Sequence, residues 1–232
     1  MILRKRVVFT QRPVNYEQTD KRWKNIMYSN HGDKSQTIGT SGCGPTCAAM
    51  VISELTGKKV FPTETCDWAV KHNYRTYNDG TDFAYFVPQL KEYGITATYT
   101  WDKGKAEQAL RNGKMVIGRA LKGLWTTSGH FILAYKIEGS TIYINDPNST
   151  ATSREKAPLS TWKAQVAPYW IVEDDWMIDK REIKISVDGK QQEMTAVLVD
   201  DENYIRLRDI GPALGYAVDY DAAKKMPLLK KE

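Results

Sequence analysis

The chain has 232 residues, 41% hydrophobic and 11% aromatic, with seven Trp and thirteen Tyr. That length and apolar content exclude a disordered chain and allow one sizeable core plus a small appendage. The formal net charge of +5 arises from well-mixed signs without an arginine-rich run or a basic helix, which points to solubility and away from nucleic acid as a partner.

Three cysteines, Cys43, Cys47 and Cys66, are an odd number without a Cys-x-x-Cys pair, and the three His are scattered. Neither a disulfide framework nor a structural zinc site is expected, and no metal or other cofactor. The first residues, MILRKRVVFTQRP, lack the apolar stretch of a signal peptide, and no run approaches membrane-spanning length. The expectation is a chain made in the cytoplasm without membrane insertion. A role beyond the membrane would then require release through a separate pore.

Two parts differ in texture. Residues 1–178 are rich in Trp, Tyr and Gly, whereas residues 181–232 read as short strands, tight turns and one short helix. In the first part a helix is predicted over 43–55, with Cys47, Ala48, Val51, Ile52 and Leu55 on one face, Pro45 in the first turn and Gly57 as the stop. Further helices are predicted over 62–71, capped by Thr63, over 82–93, closed by Gly94, and over 103–112. Strands follow over 115–119, 131–137, 141–145 and 169–172, with Glu138-Gly139-Ser140 as a hairpin turn. Helices followed by an antiparallel sheet give an α+β order. The second part carries strands over 183–187, 195–199, 204–206 and 216–220 and a helix over 207–214. Its basic end, with Lys224, Lys225, Lys230 and Lys231, reads as a solvated edge.

The predicted helix starts at Cys43, and a helix N-terminus favours thiolate. Gly42 and Gly44 flank it, allowing a sharp turn and close substrate approach. Cys47 and Cys66 read as small core residues. His130 stands where the segment Thr126-Thr127-Ser128-Gly129 becomes strand, a suitable place for a general base. His31 reads as a loop residue and His72 as a helix C-terminal one. Across the predicted hairpin the ends meet, so Asn145 to Asp146 come near His130, and Asp146 can hold its second ring nitrogen, with Asn148 as the fallback. Trp125, five residues before His130, is the aromatic expected to touch substrate, beside Gly42 and Gly129.

In order along the chain, YEQTDKRW (16–23), TSGCGPTCAAMVISELTG (40–57), GHFILAYKI (129–137) and IYINDPNS (142–149) resemble the C39-like family of papain-fold cysteine peptidases. The resemblance implies helices packed on an antiparallel sheet, Cys43 as nucleophile, His130 as base, Asp146 as its orienter, and a glutamine ahead of the nucleophile as oxyanion donor. Gln18 matches by its Gln-x-Asp context. However, 24 residues lie between it and Cys43, where the family's peptidase-transporter branch has a few, and Gln36 is nearer. Residues 185–190 and 196–221 resemble the small domain named after the N-terminal domain of copper amine oxidases; without a His in 181–232 it implies no copper. In phage lysis and cell-surface proteins that module looks like a wall-binding or stalk unit. Together these resemblances imply an endolysin-like hydrolase cutting amide bonds of bacterial peptidoglycan, with 181–232 as the wall-binding part. The alternatives are a peptidase trimming a protein or leader peptide inside the cell, and a non-catalytic binding module on the same fold.

Overall fold

A computed structural model describes residues 12–173, 179–199, 202–205, 207–221 and 226–231. Residues 174–178, 200–201, Arg206, Lys224 and Lys225 lie outside the described residues. The described residues divide into two compact units, 12–173 and 179–231. No helix among them is long and apolar enough to cross a membrane.

The first unit runs α1 (Ile38–Ser41), α2 (Cys43–Thr56), α3 (Pro62–Lys71), a 3-10 turn (Phe83–Tyr85), α4 (Phe86–Lys91), β1 (Thr96–Thr100), α5 (Lys103–Arg111), β2 (Val116–Ala120), β3 (His130–Glu138), β4 (Thr141–Asn145), α6 (Thr152–Glu155), β5 (Lys156–Pro158), α7 (Leu159–Gln165) and β6 (Val166–Glu173). The six strands form one antiparallel sheet in the order β1-β6-β2-β3-β4-β5. The fold class is thus α+β, with helices on an antiparallel sheet. One face of the sheet, with Ile117, Phe131, Leu133 and Trp170, packs under α2, α3 and α4. The other, with Val116, Ile132, Ala134 and Tyr169, packs against α5 and α7.

Helix α2 departs from the amphipathic reading. It is buried continuously from Gly44 to Ser53, because it lies between the sheet and α3 and α4. Met50, Val51 and Ile52 are fully covered, each contributing about 1.5–3 kcal/mol of apolar burial. Gly57 ends the helix at φ +68°, where L side chains are strained. The cap of α3 is the backbone of Phe61, whose N–H donates to Glu64 Oε1 at 2.9 Å; Thr63 lies inside the helix. The segment 82–93 is not one helix: Asp82 caps a 3-10 turn that passes into α4. Strand β1 escapes the sequence pattern because only Ala97 of its five residues is buried.

A bulge in β3 decides the position of the site. From Glu138↔Thr141 to Lys136↔Tyr143 the hairpin keeps one register; between Ala134 and Lys136 it shifts by one, giving Leu133↔Asn145. The next position, Asp146, therefore falls opposite Ile132 and not Leu133. Because sheet faces alternate, this one-residue shift puts Asp146 on the face that His130 and Ile132 share.

In the second unit, β7 (Asp179–Val187), β8 (Lys190–Val199) and β9 (Glu202–Ile205) form an antiparallel meander. Helix α8 (Leu207–Ala213) follows, then the hairpin of β10 (Tyr216–Asp221) and β11 (Met226–Lys231). The basic end is a solvated edge as expected, and it is also a strand: Met226–Lys231 pairs along its whole length with β10 in a two-stranded sheet, with Lys230 and Lys231 exposed. Asp188 and Gly189 turn the first hairpin at φ +49° and +78°.

Candidate active site

Thr37 caps α1 in a reciprocal pair with Thr40, and Gly42 N–H donates to Ile38 O at 2.8 Å, so the chain enters α2 without slack. A Cβ at Gly42 would lie 2.6 Å from Ile38 O, which excludes any side chain there without backbone movement. Cys43 is thereby fixed as the first residue of α2, half-buried. Burial pushes its thiol up, but the hydrogen bond and charge of His130, with the N–H groups of Phe131 and Gly44, outweigh that and hold it below its usual value. Cys47 and Cys66 are buried, and their thiols are driven well above the usual range by burial.

His130 opens β3, paired with Ala120, and is buried. Its Nε2 lies 2.6 Å from Oδ1 of the fully buried Asp146, which leaves Nδ1 for the hydrogen bond shared with Cys43. Burial pulls the imidazole pKa down. The hydrogen bonds and charges of Asp146 and Cys43 win, raising it to about 9. Both shifts move the proton from sulfur to nitrogen. Asp146 Oδ1 also accepts the Asn148 N–H at 2.9 Å, so Asn148 supports the carboxylate while Asp146 holds the ring.

Arg154, which no sequence pattern singled out, lies on the other oxygen, with Nη2 2.6 Å from Asp146 Oδ2 in an ion pair out of line for a hydrogen bond. The same Nη2 donates to Trp125 O, and Trp125 Nε1 donates to Arg154 O at 2.9 Å. Trp125 is thus clasped by α6 and only 2% exposed, with its edge in the cleft wall. The expected substrate aromatic thus lines the cleft and also anchors the loop that ends at His130.

Gln18 is also buried. Its N–H donates to Pro147 O at 2.7 Å and its Nε2 to Gly39 O at 2.8 Å, leaving one amide N–H to spare and Oε1 buried without a partner. The 24 intervening residues fold back on themselves: Ile38 N–H donates to Ile26 O and Gly39 N–H to Lys24 O, both at 2.9 Å. Gln36 is placed otherwise. Its Oε1 accepts from Arg75 Nη2 and its Nε2 donates to Tyr77 O, both at 2.8 Å, so both ends are occupied.

A cleft of about 440 Å³ opens over Cys43, lined by Gln18, Thr40, His130, Asn148, Arg154 and the loop 123–129 that includes Gly129. Gly42 is buried beneath it. Among the described residues no cluster of three or more His, Cys, Asp or Glu could hold a metal ion. A half-buried thiol on a helix start, a strand imidazole that shares its proton, and a buried carboxylate behind that imidazole can carry acyl transfer.

Fold and site together are of the papain-like cysteine peptidase class. The model of the Peptidase C39 like family matches residues 13–173, and the chain belongs to that family. No curated protein matches the chain. Distantly similar solved structures include two peptidase domains of transporters. The peptidase domain of Streptococcus ComA, a bifunctional ABC transporter involved in quorum sensing, is 16% identical, with 57% of this chain and 90% of that chain covered at a TM-score of 0.43. A double glycine motif protease from an AMS/PCAT transporter, in complex with its leader peptide, is 19% identical, with 56% and 81% covered at 0.40.

Proposed function

We propose that this chain hydrolyses peptide amides through an acyl-enzyme on Cys43. The observation that carries the reading is the unbroken series Cys43–His130–Asp146, with the thiol lowered and the imidazole raised. Cys43 thiolate attacks the carbonyl carbon, and the oxyanion takes the spare N–H of Gln18. Protonated His130 gives its proton to the leaving amine. Neutral His130 then takes a proton from water as the water attacks the thioester, and Cys43 is released.

Two substrate classes suit this chemistry. The peptides of the bacterial wall are the reading motivated by the small second unit, which we propose as a wall-binding module. A peptide segment of a protein or leader fits the cleft equally well, since nothing lining it is peculiar to wall material. Digestion of purified walls and of unfolded protein by the wild type and Cys43→Ala, with mass spectrometry of the products, tests both. New amino termini within wall peptides assign the first class, and free lactyl groups on the sugar make the enzyme an amidase. Termini in the protein alone assign the second class. Equal products from wild type and Cys43→Ala overturn the mechanism. Retention of the full chain but not of residues 12–173 on walls tests the module, and equal retention removes it.

A further inference from the structure

We infer that Arg119, laid over Phe83 beside Gly129, forms a subsite that takes a carboxylate of the peptide substrate next to the cleft. The inference rests on the peptidase reading above and narrows its substrate to peptides with an acidic side chain or free carboxylate near the cut.

Four observations lead there. Arg119 is half-buried on β2, yet its guanidinium makes no ion pair or side-chain hydrogen bond with any described residue. A partly covered guanidinium without a counter-charge is available to an incoming anion. Second, its place is fixed: Cζ lies 5.5 Å from the ring centre of Phe83, a cation–π contact that orients the planar fork while leaving its N–H edges free. Phe83 is itself held edge-on against Phe131 and Trp170, at 6.0 and 5.7 Å.

Third, the guanidinium lies beside Gly129, the residue that precedes His130. A Cβ on Gly129 would lie 2.9 Å from Arg119 Nη2, and Gly129 lines the cleft immediately before His130. Phe131, paired with Arg119 across the ladder, gives its N–H to the Cys43 thiol. Any side chain at 129 would crowd the guanidinium from the cleft side. Fourth, no residue lining the cleft is acidic, and Asp82, next to Phe83, makes no ion pair with Arg119: it is exposed and accepts the Ala84 N–H at 2.7 Å. A bidentate guanidinium–carboxylate pair is the contact this geometry suits.

The test uses blocked peptides that differ only in Glu or Gln, with the variable residue moved stepwise along the sequence, as protectants of Cys43 against iodoacetamide in the full chain. One Glu peptide is expected to protect at about one-tenth the concentration of its Gln twin, the effect of one charge-assisted pair. Arg119→Gln should bring the twins level when each variant's protection is referred to its own unprotected alkylation rate, and Arg119→Lys should keep part of the preference. Equal protection by all twins, protection by none at millimolar concentration, or a preference that survives Arg119→Gln overturns the subsite. A Glu preference in a chain that leaves walls and proteins uncut retains the subsite and defeats the hydrolase reading; cleavage without a preference does the reverse.

Discussion

His130 and Asp146 meet at 2.6 Å because β3 carries one residue more than β4 needs. The bulge moves Asp146 to the His130 face of the sheet, where Asn148 N–H and Arg154 also reach it. The carboxylate thus links the proposed base to α6.

Replacing Asp146 with Asn removes the charge that favours imidazolium. The expected kcat falls roughly 10²-fold or more, and the alkaline limb of activity moves to lower pH as His130 loses its raised pKa. Asp146→Ala also leaves Arg154 facing a buried gap, and is expected to cost about 3 kcal/mol in urea unfolding. An unchanged alkaline limb in Asp146→Asn would show that Asp146 does not set the His130 pKa.

Activity is expected to follow a bell in pH. The active pair is thiolate with imidazolium. Activity rises as pH climbs through the lowered Cys43 value and falls as pH passes about 9, where His130 loses its proton. The kcat/KM profile of a fluorogenic peptide reads both limbs. A decline centred near the ordinary imidazole value would contradict the ion pair.

Gln18→Ala should lower kcat by about 10²–10³ with little change in KM, the effect of losing one oxyanion donor. Iodoacetamide should still label Cys43 at the wild-type rate, since no tetrahedral centre forms in that reaction. Gln36→Ala should act instead on stability, because its amide is bound to Arg75 and Tyr77. Comparing kcat with melting temperature for the two variants separates the roles.

One label per folded chain is expected at neutral pH. Cys47 and Cys66 are buried with raised thiols, and only Cys43 combines access with a lowered one. Intact-mass measurement checks the count, and Cys43→Ala should take no label.

Arg75 is a buried cation of another kind. Its guanidinium donates to the carbonyls of Tyr28, Thr76 and Gly80 and to Gln36 Oε1, with the Tyr28 ring at 4.9 Å. Arg75→Met removes the guanidinium donor from Tyr28 O, Thr76 O and Gln36 Oε1, whereas Gly80 O keeps the Thr76 N–H and hydroxyl. It should cost about 3 kcal/mol and lower the melting temperature by roughly 6–12 °C. A loss under 1 kcal/mol, on the order of a surface change, would show that water replaces the guanidinium.

What the sequence made legible follows from range. The strand 141–145 and the helix 62–71 are set by local alternation and turn residues, and the structure has them at those bounds. Cys43, His130 and Asp146 were readable as residues to be brought together, because a helix start and a hairpin are local devices. The β3 bulge was not, since no residue type at 134–136 marks it. Arg154 and Arg119 were equally silent: each gains its meaning from partners far along the chain. Trp125 was legible only in part: a tryptophan near a candidate base suits a cleft wall and a loop anchor alike, and the structure has it in both places, lining the cleft and bound to Arg154 O.

The returning segment between Gln18 and Cys43 has a consequence for length. Its base is pinned at Lys24, Ile26, Ile38 and Gly39, and Gly39 O in turn holds the Gln18 amide. Its tip, Asn30 to Lys34, is mostly exposed and turns at Gly32 with φ +82°. Insertion next to Gly32, with Asn30 kept on Arg75 O and His31 kept against Tyr77, therefore leaves Gln18 and Cys43 at their spacing and makes this a natural point for grafting a tag or an affinity loop.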